Sequence, residues 1–181
     1  VDMTTNPLEI MVFTRNAEVL RFRASEVSLY GTNAGGVKSI NLKPKDYVVS
    51  AIYCNKNDDF LLLTTRSTLK RMKVTAIVFT KRSRMGSPAI KLLKSNPYLL
   101  VQASKLTPNQ YKENVLINII YKNGNDTQEA FSLKYNVSDS GKTFTSENLE
   151  LKELCGMNLP EPTEPDKEIS GDYLIEVKDI A

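Results

Sequence analysis

Short runs of apolar and β-branched residues, bounded by turn-forming clusters, recur through the first hundred positions. They occupy residues 10–14, 18–24, 37–42 and 47–54, and again 60–64, 68–74, 88–93 and 98–104, which predicts β-strands rather than helices. Alternate side chains of a strand share a face, so Leu20, Phe22 and Ala24 are expected to point inward and Arg21 and Arg23 outward. The same reading sends Met72 and Val74 inward and Arg71 and Lys73 outward. Gly31-Thr32-Asn33-Ala34-Gly35-Gly36 separates two of these runs as a turn-rich loop. A less regular stretch follows, with Val115–Tyr121, a turn at Lys122–Asp126 and a return through Gln128–Tyr135, the pattern of a hairpin.

The runs are copies of one another. Met11–Arg15 with Val19–Ser25 reappears as Leu61–Thr65 with Leu69–Thr75, displaced by 50 positions without a gap. Gly36, Ile40 and Leu42 meet Gly86, Ile90 and Leu92 at that displacement, and Val48-Val49 meets Tyr98-Leu99. Such a period implies a propeller-like array or a solenoid of all-β units. Pro160, Pro162 and Pro165 mark 160–168 as an extended acidic connector. Beyond it, Tyr173–Ile180 has strand composition and is expected to close the third unit.

Charge adds a second signal. The chain of 181 residues carries a formal net charge of only +3, yet residues 1–94 sum to +9 and residues 95–181 to −6. A basic half is what displaces counterions from a phosphate backbone, so an anionic polymer is the first partner to consider, with a solvated basic face as the plain alternative. Stacked units would align Arg21, Arg23, Arg71 and Lys73 into a track joined by Arg66, Lys70, Lys81, Arg82, Arg84, Lys91 and Lys94. On that reading Arg71, Lys73, Arg82 and Arg84 are replaceable by Glu without loss of the fold. Edge cations that discourage sheet-to-sheet aggregation are the competing account.

The chemistry available is narrow. With no His, Ser-His-Asp and Cys-His centres and His-based metal sites are excluded within the chain. Cys54 and Cys155 lack a C-x-x-C partner and are expected as half-buried free thiols. Gly141-Lys142-Thr143 lacks the earlier glycine of a phosphate-binding loop, position 136 being Asn136, and runs into strand-like rather than helical sequence. Asp58-Asp59 falls at a turn, where paired acids serve as solvated caps rather than metal ligands. No apolar run reaches the roughly 18 to 20 residues of a membrane span, and no signal peptide is apparent. We expect a cytoplasmic protein, and the lack of an initiator Met suggests a piece of a longer subunit.

Several segments carry a family resemblance. Thr14 precedes Arg21, and Thr64 precedes Arg71, by the same seven positions between paired strands. To these add the loop Lys81-Arg82-Ser83-Arg84-Met85-Gly86 with Leu93-Lys94 after it, and the segment Ala34–Lys43 containing Lys38, followed by Asp46 and Val48-Val49. With Leu92–Pro97, these resemble the C-terminal domain of the A subunit of bacterial type IIA topoisomerases, over about residues 9–104. Topoisomerase IV is more similar than gyrase, since Asn33–Lys38 lacks the arginines of the gyrase Gln-Arg-Arg-Gly-Gly-Lys-Gly box, though an equivalent box could stand upstream of Val1. The resemblance implies a β-pinwheel of four-stranded antiparallel blades, about three of them here, at roughly 9–58, 59–111 and 112–181. It implies a nucleoid-associated, non-catalytic module that binds and bends duplex DNA on a basic rim including Lys38, steering decatenation or relaxation. Cleavage, and the sites at which the parent enzyme uses ATP and Mg2+, would belong to the rest of the A subunit and to the ATPase B subunit, with no cofactor in this domain.

Two other classes stay open. A protein-interaction propeller would show exposed aromatics on one face, for which 8% aromatic content at mostly strand-core positions gives little material. A spacer would need no surface chemistry. The acidic segment Glu161–Glu168 is either a solvated linker or a competitor of DNA for the rim.

Overall fold

The computed structural model describes residues 8–66 and 68–106 in full and, beyond them, the backbone of 114–121, 127–132, 142–143 and 154–158. The elements are β1 (Glu9–Thr14), β2 (Glu18–Arg23), β3 (Val48–Cys54), β4 (Asp59–Thr64), β5 (Thr68–Lys73), β6 (Ser87–Pro88), β7 (Leu100–Leu106), β8 (Asn114–Tyr121), β9 (Thr127–Ser132), β10 (Lys142–Thr143) and β11 (Leu154–Asn158). Short 3-10 turns follow β2 at Ala24–Glu26 and β5 at Val74–Ala76.

The strands form antiparallel sheets in the orders β3-β1-β2-β6, β10-β5-β4-β7 and β11-β8-β9. Val12 faces Leu20 across the first hairpin and Leu62 faces Lys70 across the second, so the 50-residue period holds in register. It holds in irregularity too, because a bulge falls between Phe13 and Thr14 and again between Leu63 and Thr64. Each of these threonines is buried and serves its turn. Thr14 Oγ1 accepts from the Glu18 N–H at 3.3 Å, and Thr64 Oγ1 lies 2.6 Å from Thr68 Oγ1.

Sheets pack face to face. Met11, Phe13 and Val19 of the first meet Phe60, Leu62, Leu100 and Ala103 around the second, with Phe13 and Phe60 ring centroids 5.4 Å apart. Each such buried side chain contributes about 1.5 to 3 kcal/mol of transfer free energy, making this seam the main apolar tie between units. Arg15 bridges the same seam, its guanidinium donating to Leu100 O at 2.8 Å while its carbonyl accepts from the Leu100 N–H at 2.8 Å.

The strand pattern is corrected at two places. The run 37–42 forms no strand; only Asn41 makes an isolated bridge, to Met85, because the backbone of 39–41 is bonded by the next unit's loop through Ser83 N–H to Ser39 O and Asn41 N–H to Arg84 O. Of the run 88–93 only Pro88 is strand, in the short element Ser87–Pro88, after which the Ala89 N–H turns to Ala17 O and carries Ala89 and Ile90 into the core. Ser87–Pro88 completes the first sheet, opposite Val19 and Glu18, so the fourth strand comes from the following unit. β10 pairs with β5 in the same way, Lys142 opposite Leu69, which makes Lys142-Thr143 strand rather than a phosphate-loop helix start.

Gly86 is what lets β6 approach. A Cβ there would stand 3.0 Å from Glu18 Cβ and 3.2 Å from the backbone of Val19. The expected hairpin of the third unit is present, with Val115 opposite Phe131. The turn at Lys122–Asp126, the connector at 160–168 and the strand at Tyr173–Ile180 lie outside the described residues. Cys54 is a free thiol and is fully rather than half buried.

Candidate nucleic-acid interface

The repeated cations divide by what holds them. Arg21 does not point outward. It is buried at 7% exposure in a two-pronged pair with Glu9, Nε to Oε2 at 2.6 Å and Nη2 to Oε1 at 3.1 Å. Its Nη1 donates to Val74 O at 3.2 Å and Ile77 O at 2.9 Å in the next unit. Fifty positions on, Arg71 repeats the pair with Asp59, Nε and Nη2 reaching Oδ2 at 2.8 and 2.5 Å. An arginine held diagonally across from an acid on the neighbouring strand is a structural clamp that neither partner can leave alone, because a guanidinium or carboxylate out of water needs both charge and hydrogen-bond partners. The Thr-to-Arg spacing is therefore structural: the threonine shapes the hairpin turn, and the arginine ties the hairpin to its first residue.

Two more candidates turn inward. Lys70 is buried with Nζ 3.3 Å from Ala89 O. Arg82 is half-buried, its backbone N–H and Nε donating to Glu26 at 2.9 and 3.0 Å and Nη1 donating to Lys38 O. The expectation that Glu is tolerated at Arg71 and Arg82 is thus corrected, since both hold the fold. Asp58 and Asp59 are equally occupied, Asp58 accepting from the Asn55 N–H at 2.8 Å and Asp59 from Arg71.

The remaining candidates are exposed: Arg23, Lys38, Arg66, Lys73, Lys81, Arg84, Lys91 and Lys94. Four of them converge along the edge outside β2. Ser83, left-handed at φ 64°, donates through its N–H to Ser39 O and through Oγ to Lys38 O, so the turn seats the 81–84 loop on the 38–41 segment. Arg82 faces in and Arg84 faces out on either side of that turn. The Thr80 N–H bonds Arg21 O, bringing Phe79 within 5.7 Å of the Arg23 guanidinium, so Arg23, Lys38, Lys81 and Arg84 share one corner. None of these four forms an ion pair with a described residue.

A second corner lies at the opposite strand end, in the turn between β4 and β5 of the second sheet. There Arg66, in the turn after β4, stacks 4.3 Å from the Tyr98 ring and donates to Asn96 O at 3.3 Å, with Lys94 nearby in sequence. Lys73 occupies the place of Arg23 in the second sheet, and Lys91 follows the buried Ala89 and Ile90. Sequence reading missed the partners Glu9 and Asp59, although both stand 50 residues apart and 12 residues before their arginines. It also missed the rings of Phe79 and Tyr98, whose placement no periodicity signals.

The fold belongs to a known class of domain. Residues 8–55 and 58–95 match the DNA gyrase C-terminal domain, beta-propeller family. The A subunit of DNA topoisomerase 4 from Staphylococcus aureus is 37% identical over 131 residues, an alignment covering 67% of this chain and 16% of that protein. Among solved structures, the C-terminal domain of DNA topoisomerase IV superposes with a TM-score of 0.72 at 22% identity, covering 94% of this chain and 52% of that one. The E. coli ParC C-terminal domain superposes at 0.54 and 10% identity, covering 85% and 57%. The chain belongs to the C-terminal repeat family of the type IIA topoisomerase A subunits. Within it, the sequence similarity is to the topoisomerase IV A subunit, of whose length the chain spans about a sixth. No described helix is long and apolar enough to cross a membrane.

Proposed function

We propose that this domain binds duplex DNA without cutting it, along the corner formed by Arg23, Lys38, Lys81 and Arg84. The observation that carries the reading is their convergence from two successive units onto one exposed edge without acidic partners, in a region of net +9. Side chains of this kind contact phosphates and read no bases, so affinity is largely independent of sequence. A duplex that runs on from Arg23 to Lys73, its exposed equivalent in the next unit, is drawn into a curve. In the parent A subunit, acting with its ATPase partner, such a surface steers which DNA reaches the cleavage centre and so sets the balance of decatenation and relaxation.

The test is a salt titration of duplex binding by fluorescence anisotropy. Replacing the four cations by Gln should flatten the slope of log K against log salt by about 3 to 4, at roughly 0.9 per lost phosphate contact. An unchanged slope refutes the assignment. Fluorescence transfer between the duplex ends, rising on binding, tests the bend.

A second reading rests on exposed apolar side chains near this edge, Leu29 at 101%, Tyr30 at 61% and Val78 at 72%. They suit a protein partner, whose binding would depend only weakly on salt in the same titration.

A further inference from the structure

We propose that Phe79 and Tyr98 are positioning residues for phosphate contact, each holding one arginine in place without cancelling its charge. The inference rests on the duplex-binding reading above. The chain fixes guanidinium groups in two ways. Arg21 and Arg71 are fixed by carboxylates at 2.5 to 2.6 Å, which neutralise them and consume their donors. Arg23 and Arg66 instead lie over aromatic rings, Phe79 at 5.7 Å and Tyr98 at 4.3 Å, and both remain exposed.

The distinction has a chemical consequence. A ring attracts the cation through its quadrupole and restricts its rotamers, yet leaves the net charge and most of the N–H donors available. An arginine ordered in this way loses less conformational freedom when a phosphate arrives than one waving in solvent. The shelves are themselves anchored. Phe79 belongs to the segment whose Val74 and Ile77 carbonyls are gripped by Arg21, and its ring also lies 5.6 Å from that buried guanidinium. Tyr98 is partly buried against the core between the sheets. The Arg23 shelf therefore comes from the unit after its own, which ties the phosphate contact to the spacing of the units.

The experiment uses the 181-residue chain, a mixed-sequence duplex and a salt series. Phe79→Leu and Tyr98→Leu should each weaken binding about two- to five-fold at every salt concentration, giving lines parallel to that of the parent. Arg23→Lys and Arg66→Lys, which keep the charge and lose the planar stack, should do the same without lowering the melting temperature. Phe79→Tyr and Tyr98→Phe should restore binding. Arg23→Gln and Arg66→Gln, by contrast, should flatten the slope by about 0.9 each. Lysine variants that bind like the parent overturn the proposal, whatever the leucine variants do to stability, and so do leucine variants that keep both fold and affinity. A parent chain that shows no salt-dependent duplex binding overturns the functional reading and this one with it; a parent that binds while the lysine variants match it overturns this one alone.

Discussion

Arg21 and Arg23 lie two residues apart on one strand and share a face, yet they do opposite jobs. Arg21 is sealed between two sheets with Glu9 and two carbonyls, while Arg23 projects from the strand end beside an aromatic ring. Arg71 and Lys73 repeat the pair in the next unit, inner clamp and exposed end. The difference teaches that recurrence of a cation at a fixed displacement does not mark a binding rim. What separates the two roles is one acid on the neighbouring strand: Glu9 stands opposite Arg23, yet its carboxylate reaches diagonally to Arg21 and is used up there.

The sharpest way to break this comparison is to remove the inner arginine. Arg21→Met should destabilise the chain by about 3 to 5 kcal/mol, because it strands the buried Glu9 carboxylate, whereas Arg23→Gln should cost under about 0.5 kcal/mol. Denaturant midpoints decide it. Equal small effects would dissolve the distinction, and the double variant Glu9→Met with Arg21→Met should recover most of the loss.

Next in size is the swapped edge. Gly86→Val must push β6 away from Glu18 and Val19, at a cost of about 1 to 3 kcal/mol, and should loosen the 81–84 loop while sparing the Arg71 pair. Amide exchange would show protection lost at residues 83–89 and kept in β4 and β5.

The smallest effect sharpens the comparison electrostatically. Burial, then the carboxylates of Glu9 and Asp58, push the Cys54 thiol from 9.0 up to about 12, and Arg21 pulls it back down. A thiol raised on folding adds stability that is complete below pH 9 and drains away as pH climbs toward 12. In a Cys155→Ser background, Cys54→Ala should remove that alkaline loss. Arg23→Gln should leave the onset of Cys54 alkylation where it is, while a folded Arg21→Met shifts it to higher pH.

Much of the fold was legible because the signal is local. Alternation placed β1, β2, β4 and β5 to within a residue at each end, and the 50-residue displacement foretold even their shared register. The strand expected at 37–42 failed for a non-local reason. Its equivalent, 87–88, pairs with the second strand of the unit before, and no such strand is offered to the earlier segment by the described residues. The site was half legible. Exposure at Lys81 and Arg84 follows from a polar loop, but Arg82 between them is turned inward by the left-handed Ser83 and caught by Glu26, a contact 56 residues away in sequence. Short-range patterns carry no information about such partners.

The borrowed fourth strand also sets how such a gene can grow or shrink. One period of the sequence encodes three strands of one sheet and the last of its predecessor, so coding unit and folding unit are out of phase. Deleting or inserting a whole period still leaves the sheet before it a donor, whereas a cut that follows the visible sheet boundary orphans two edges at once. Duplications that survive in this lineage should therefore be whole periods, with breakpoints falling anywhere except between a loop and the edge it is about to complete.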